Sequence, residues 1–324
     1  MRVAPALIRG QAAELNRLRF WMTAAGVVVI AAAAVVMPQG LRLGNMLERA
    51  SIAMYKPDAI LAFNSPRSLT RHLATIGYDL DAVRNVGAAV PRLFLAKVPD
   101  GLADVKQASQ RKEVFLSVML PLVLEVNEQV QRKRAQLLVM EAKQAAGQPL
   151  TADQQKRLET IAAEYGASPD RLDILLRRVD AVPPSLALAQ AAIESGWGTS
   201  RFILEGNAVF GEWTWDDNGL VPQGREQGKS HKIRSFGQLL DSVRSYIHNL
   251  NTHGAYKAFR TKRLAMRDEG NQLSGLALVP TLASYSELKG KYLGLLRNII
   301  TTNALQPLDD ARLKDSPTPR GADA

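Results

Sequence analysis

Cysteine is absent from this 324-residue chain. Its absence excludes a disulfide scaffold, Cys-ligated zinc, an iron–sulfur cluster and a thiol nucleophile. Histidine is scarce, at 4 residues. That argues against a His-rich metal site, and neither a metal nor a cofactor is expected. Acidic residues are the minority charge: 31 Asp and Glu stand against 41 Lys and Arg, for a formal net charge of +10. A positive field of this size attracts polyanions such as nucleic acid, anionic lipid or a bacterial cell wall, without choosing among them. No nucleic-acid-binding motif is recognisable, so nucleic acid is not an expected partner. Apolar residues make up 46% and charged residues 22%. That balance is close to soluble proteins and excludes a wholly disordered chain, a collagen and a polytopic membrane protein.

One uncharged apolar run, Phe20 to Met37, has the 18 residues at which a membrane-spanning helix becomes a candidate. Arg2, Arg9, Arg17 and Arg19 precede it against Glu14 alone. That bias orients the N-terminus to the cytoplasm and carries the rest of the chain across. The run is long for a signal peptide. The reading is a single-pass anchor in an inner membrane with the body in the periplasm; the alternative is secretion after signal cleavage. Residues 1–40 form this segment, and 41–88 read as a connector with short helices, one starting at Ser65-Pro66.

The remainder is mostly helical in pattern. From Gln110 to Ala145, Val114, Phe115, Val118, Met119, Leu122, Val123 and Val126 recur at three and four, with Pro121 expected to kink or split the helix. Thr151-Ala-Asp-Gln154 has capping-box form, and Ser168-Pro169-Asp170 gives a further start signal. Between Trp213 and Arg234 turn residues separate short apolar pairs, which predicts a small β-hairpin. Helical periodicity returns at 238–250, near 257–269 and at 286–303. Residues 306–324 have few large apolar side chains and read as a disordered tail.

The chemistry gathers in LALAQAAIESGWGTSRF, Leu186 to Phe202. Gln190, Glu194 and Trp197 are spaced i, i+4, i+7 and share one face of a continuous helix. Gly196 and Gly198 end that helix. A carboxylate near a helix C-terminus is opposed by the macrodipole, and an apolar neighbour such as Trp197 desolvates it. Both effects keep Glu194 protonated, the state that a general acid needs for glycosidic cleavage.

AQAAIESGWGTSRF, Ala189 to Phe202, resembles the signature of the bacterial glucosaminidase superfamily, glycoside hydrolase family 73. Asn207-Ala-Val-Phe210-Gly211 is similar to its N-x-F-G segment. Ser235-Phe236 through Tyr246 resembles the segment behind its cleft, and Tyr285-Ser286-Glu287, with Tyr292 beyond, its late tyrosine motif. Val90-Pro-Arg-Leu-Phe-Leu, Leu120-Pro-Leu, Gly219-Leu-Val-Pro222 and Asn249-Leu-Asn-Thr-His253 look like the Bax-type bacterial subgroup. That subgroup is unrelated to the animal cell-death regulator.

The resemblance implies a mostly α, α+β lysozyme-like domain over residues 89–305, a helical lobe beside a small β-hairpin lobe. It implies cleavage of the β-1,4 bond after N-acetylglucosamine in peptidoglycan, with Glu194 as the acid. A second carboxylate is expected from the β-lobe: Glu226 first, with Asp216, Asp217 and Glu212 as alternatives. Tyr285 is expected to orient the reacting acetamido group if the mechanism is substrate-assisted. Gln190, Trp197, Asn207, Phe210, Trp213, Trp215, Tyr246 and Glu287 are the expected substrate-binding residues. Trp213 and Trp215 alternate, so on a strand they share a face for stacking on sugars. Peptidoglycan glycan strands are the expected partner, and the chain is expected to be a monomer. Two other functions fit the same residues: a lytic transglycosylase, and a non-catalytic cell-wall-binding protein.

Overall fold

The computed structural model describes residues 60–215, 219–222, 230–285 and 290–315. The run Phe20–Met37 lies outside them, and among the described residues no helix is long and apolar enough to cross a membrane. The described residues belong to one compact unit, 56–324.

Helix α1 (Pro66–Thr75) starts at the expected place: Ser65 caps it, its Oγ accepting from the Ser68 amide at 3.2 Å, and Pro66 occupies the first turn. Helix α2 (Leu80–Val86) ends on Gly87 at φ 66°. Leu69 and Leu80 are buried, so this stretch adds to the core.

Helix α3 (Ala108–Ala145) runs unbroken for 38 residues with Pro121 inside it, and so is not split as expected. Every residue from Val114 to Asn127 is buried. A helix apolar on all sides belongs at the centre of a fold, and neighbours on every side hold the chain helical through the missing amide. Helix α4 (Ala152–Glu164) has both halves of the capping box. Helix α5 (Leu172–Arg178) starts three residues beyond Pro169, with no side-chain cap. Helix α6 (Pro184–Ser195) packs against α3, with α10 (Gly275–Leu278) and α11 (Gly290–Thr302) on other sides. Its side chains are buried up to Ala192, as is Ser195. Helices α7 (Arg201–Gly206), α8 (Leu239–Thr252) and α9 (Lys257–Asp268) complete the helical lobe.

The expected hairpin is a three-stranded antiparallel sheet. Strand β3 (Lys232–Arg234) lies between β1 (Trp213–Thr214) and β2 (Gly219–Leu220). Trp213 and Leu220 both stand opposite Ile233. The whole is mostly helical with a small β-lobe, the α+β architecture expected.

The part of the expected tail that is described, 306–315, departs from expectation, and 316–324 lie outside the described residues. Residues Gln306–Asp310 form a 3-10 turn rather than a disordered tail, and Leu308 is fully buried. Leu313 then bridges to Val90: the Val90 amide donates to the Arg312 carbonyl at 2.8 Å, and the Lys314 amide to the Val90 carbonyl at 2.7 Å. Two leucines suffice here because each fills a site already shaped by distant parts of the chain.

Candidate active site

Glu194 sits in the last turn of α6, half-buried, where the helix surfaces from the core. Three consecutive residues then take positive φ: Gly196 at 59°, Trp197 at 59° and Gly198 at 80°. A Cβ on Gly198 would lie 2.8 Å from the Phe115 ring and 2.9 Å from Leu102, so glycine is required there for space as well as backbone. Ser195 pins the turn: its Oγ donates to the Ala191 carbonyl at 2.6 Å and accepts from the Gly198 amide at 2.9 Å. Because the helix stops at Ser195, Trp197 does not share its face. Its ring lies edge-on to Phe115, centroids 5.9 Å apart, with Lys112 Nζ 4.8 Å above it.

Burial pushes the Glu194 carboxyl above the ordinary glutamate range, and a hydrogen bond from Tyr292 pulls part of the way back. That bond is 3.0 Å, from Tyr292 Oη to Glu194 Oε1. Tyr292 Oη in turn accepts from Gln190 Nε2 at 2.9 Å, and Gln190 Oε1 accepts from Tyr246 Oη at 2.6 Å. The Tyr285 ring stacks on Tyr292 with centroids 5.6 Å apart, and Tyr256 lies 5.9 Å beyond Tyr285. Phe210 stacks on Tyr246 at 3.8 Å.

The fold therefore brings Gln190, Tyr246, Tyr285 and Phe210 together near Glu194, but not all at the surface. Gln190 is 0% exposed, Tyr246 1% and Phe210 3%. These three, expected to bind substrate, are instead enclosed in the core behind Glu194. Asn207 is likewise structural. It ends α7 at φ 51°, and its Nδ2 donates to the Phe236 and Gly237 carbonyls. Tyr292 was legible only as part of a motif. Its partnership with Glu194 spans 98 residues, and no local pattern carries it.

Trp213 and Trp215 are exposed on the β-lobe, and Trp213 stacks on His231 with centroids 4.6 Å apart. Strand β1 ends at Thr214, so Trp215 lies just past it. Glu226, Glu287, Asp216 and Asp217 lie outside the described residues. Glu212, beside Trp213, ties the lobes together. Its Oε2 accepts from Ser245 Oγ on α8 at 2.6 Å, and that Oγ accepts from Arg234 Nη1 on β3 at 3.3 Å. Its Oε1 is buried with no hydrogen-bond partner. Burial raises its pKa, with Ser245, Arg234 and His248 pulling against it.

His248 Nε2 is 2.8 Å from the Glu164 carbonyl, so it donates there, and His253 Nδ1 accepts from the Ala255 amide. Both are engaged by backbone. An open concavity of about 550 Å³ is lined by Tyr165, Glu212, Trp213, Arg234, His248 and His253, among others.

Residues 174–305 match the family described as mannosyl-glycoprotein endo-beta-N-acetylglucosaminidase. The chain is 32% identical over 202 residues to Protein bax of Escherichia coli (strain K12), covering 60% of this chain and 70% of that protein. Among solved structures, the catalytic domain of the autolysin Auto from Listeria monocytogenes is 19% identical, with a TM-score of 0.32 over 53% of this chain and 96% of that one. The matched stretch contains Glu194, Gln190 and Tyr292 together, and with that relative matched over most of its length the chain belongs to the Bax-type branch of the glucosaminidase superfamily.

Proposed function

We propose that this chain is a peptidoglycan hydrolase, an endo-β-N-acetylglucosaminidase with Glu194 as its general acid. One observation carries the reading: a half-buried carboxyl, raised by desolvation, is held at one oxygen by Tyr292. The proton of Glu194 passes to the glycosidic oxygen as the bond from that oxygen to the anomeric carbon breaks. Water then adds its hydroxyl to the anomeric carbon and returns a proton, so the acid is regenerated. Glu226 is the second carboxylate of this proposal. Glu212 is occupied by Ser245, which fits a joint between lobes better than a reacting group. Trp213, exposed at the edge of the open concavity, supplies an apolar ring face for a sugar. Tyr285 is the tyrosine of this proposal that touches substrate, and its stacking on Tyr292 supports that role. In this proposal the apolar run Phe20–Met37 holds the domain at the outer side of an inner membrane.

The test uses purified peptidoglycan, wild type against Glu194→Gln, with released fragments reduced by borohydride and identified by mass. The substitution keeps the shape and removes the proton, so activity falls at least about 10²-fold. Reducing N-acetylglucosamine ends from wild type alone support the proposal. A lytic transglycosylase is the second reading, because no carboxylate among the described residues perturbs Glu194; anhydro-muramyl ends would establish it. Binding without cleavage by both proteins would leave a non-catalytic wall-binding role.

A further inference from the structure

The hydrogen bonds beneath Glu194 have a direction. Tyr246 Oη donates to Gln190 Oε1 at 2.6 Å, Gln190 Nε2 donates to Tyr292 Oη at 2.9 Å, and Tyr292 Oη donates to Glu194 Oε1 at 3.0 Å. Gln190 and Tyr246 are 0% and 1% exposed, which leaves no solvent to replace a missing partner. The two ends of an amide are told apart by the partners they satisfy. Turned end for end, Gln190 would offer its oxygen to Tyr292, which would spend its single hydrogen there. Tyr292 and Glu194 could then bond at 3.0 Å only by turning the acid's own proton onto Oε1, and in the carboxylate form their lone pairs would face each other. The Tyr246 hydrogen would lose its acceptor, Gln190 Oε1. Unmade hydrogen bonds in a buried site are costly, so the observed order prevails.

We infer that Gln190 is a positioning residue that sets the sense of this relay: its amide N–H faces Tyr292, Tyr292 commits its hydrogen to Glu194 Oε1, and the acid's own proton is confined to Oε2, the oxygen left for the glycosidic bond. The inference rests on the general-acid reading of Glu194. It goes beyond it by assigning the two carboxyl oxygens different tasks and by giving a residue with no access to substrate a part in the reaction. The groups that face Glu194 from the surrounding elements are tyrosine hydroxyls: Tyr246 on α8, Tyr256 before α9, Tyr285, and Tyr292 on α11. Among the described residues no Lys, Arg, His, Asp or Glu contributes to its electrostatics. Among the described residues the relay is therefore the main polar influence there. A hydrogen bond received by Tyr292 from Gln190 also makes Tyr292 a stronger donor, because such chains polarise one another.

The experiment is a carboxyl-carbon NMR titration of the full chain with ¹³C-labelled glutamate, the Glu194 signal being assigned by its loss in Glu194→Gln. Tyr292→Phe removes the donor and moves the Glu194 midpoint upward most. Gln190→Met, which keeps the length and removes both ends of the amide, moves it upward by less. Tyr246→Phe moves it the same way and least. In wall digestion, Gln190→Met lowers kcat by about tenfold with KM held within about twofold, as expected of a residue that acts only on the reacting acid. Gln190→Met and Tyr246→Phe, both folded by thermal melt, with Glu194 titrating as in wild type would overturn the inference. If Gln190→Met does not fold, Tyr246→Phe, which loses one hydroxyl, decides alone. The titration reads the relay whether or not the wall is cut. The graded shifts without hydrolysis would keep the relay and sink the enzyme reading; hydrolysis with unmoved midpoints would do the reverse.

Discussion

In the proposed reaction Glu194 has to carry its proton into the pH range where it works, and burial of its carboxyl favours this. The same arrangement predicts a pH profile. Activity, as kcat/KM, is full while Glu194 is protonated and falls as pH rises through a midpoint above that of an ordinary glutamate. A profile with no such falling limb contradicts the assignment. There is a stability counterpart. A carboxyl whose folded pKa is raised contributes fully below its unfolded value, about 4.3, and loses that contribution as pH rises through the folded value. Glu194→Gln therefore melts higher than wild type at neutral pH and gains little near pH 4, a comparison that two melting curves make. At this scale the turn was legible, because a serine and two glycines after Glu194 end the helix and reverse the chain, whereas the chemistry proposed for Glu194 came from the family resemblance of the whole segment. The neighbours were not. Gln190 and Tyr246 were expected at a sugar-binding surface, but helical spacing says only which residues share a face. What faces them, Tyr292, lies 102 residues from Gln190.

At the scale of elements, the position of α6 depends on a residue far along the chain. Asp309 accepts from the Ser185 amide at 2.8 Å, from Ser185 Oγ at 2.9 Å and from the Gly275 amide at 2.9 Å, capping α6 and α10 together. The two helix starts touch: a Cβ on Gly275 would lie 2.2 Å from Ser185 Oγ and 2.8 Å from the Leu186 amide. Asp309→Ala leaves two half-buried amides and a buried hydroxyl without their acceptor and lowers stability by about 2–3 kcal/mol, read as a shift in urea midpoint. An unchanged midpoint would show that α6 holds itself. Most helices were legible as elements, since their caps and periodicity are local. The continuity of α3 through Pro121 was not, because a buried central helix answers to its neighbours rather than to propensity. The third strand escaped notice for a related reason: strands of two or three residues carry too little alternation to count.

Over the whole molecule, charge is concentrated inside as well as out. Asp180 is 2% exposed and receives hydrogen bonds from Arg267 Nε and Nη2, while Arg134 and Arg263 approach within 4 Å. Burial alone would raise the Asp180 carboxyl, but Arg263 and the other two arginines together hold it below the usual range. Arg263 is itself 1% exposed, and burial pushes it down to about 10. Asp180→Ala strands that guanidinium and costs about 3–5 kcal/mol, seen as a large drop in Tm or failure to fold. A loss under about 1 kcal/mol would mean that the carbonyls of Asp180 and Ala181, at 3.0 and 2.9 Å, suffice for Arg263. None of this hub was visible in the sequence, whose excess of basic residues reads only as a surface field.

The tyrosines around the acid have an optical consequence. Six of the chain's seven tyrosines, Tyr78, Tyr165, Tyr246, Tyr256, Tyr285 and Tyr292, have their hydroxyls pushed upward chiefly by burial, and the seventh, Tyr55, lies outside the described residues. In the unfolded chain they ionise near pH 10. A raised folded value means that their share of stability is intact below that pH and drains away above it. The ultraviolet absorbance of phenolate from these six should thus lag behind that of the unfolded chain as pH rises and gain most of its amplitude at the alkaline pH where the chain comes apart, so that the protein reports its own unfolding in colour.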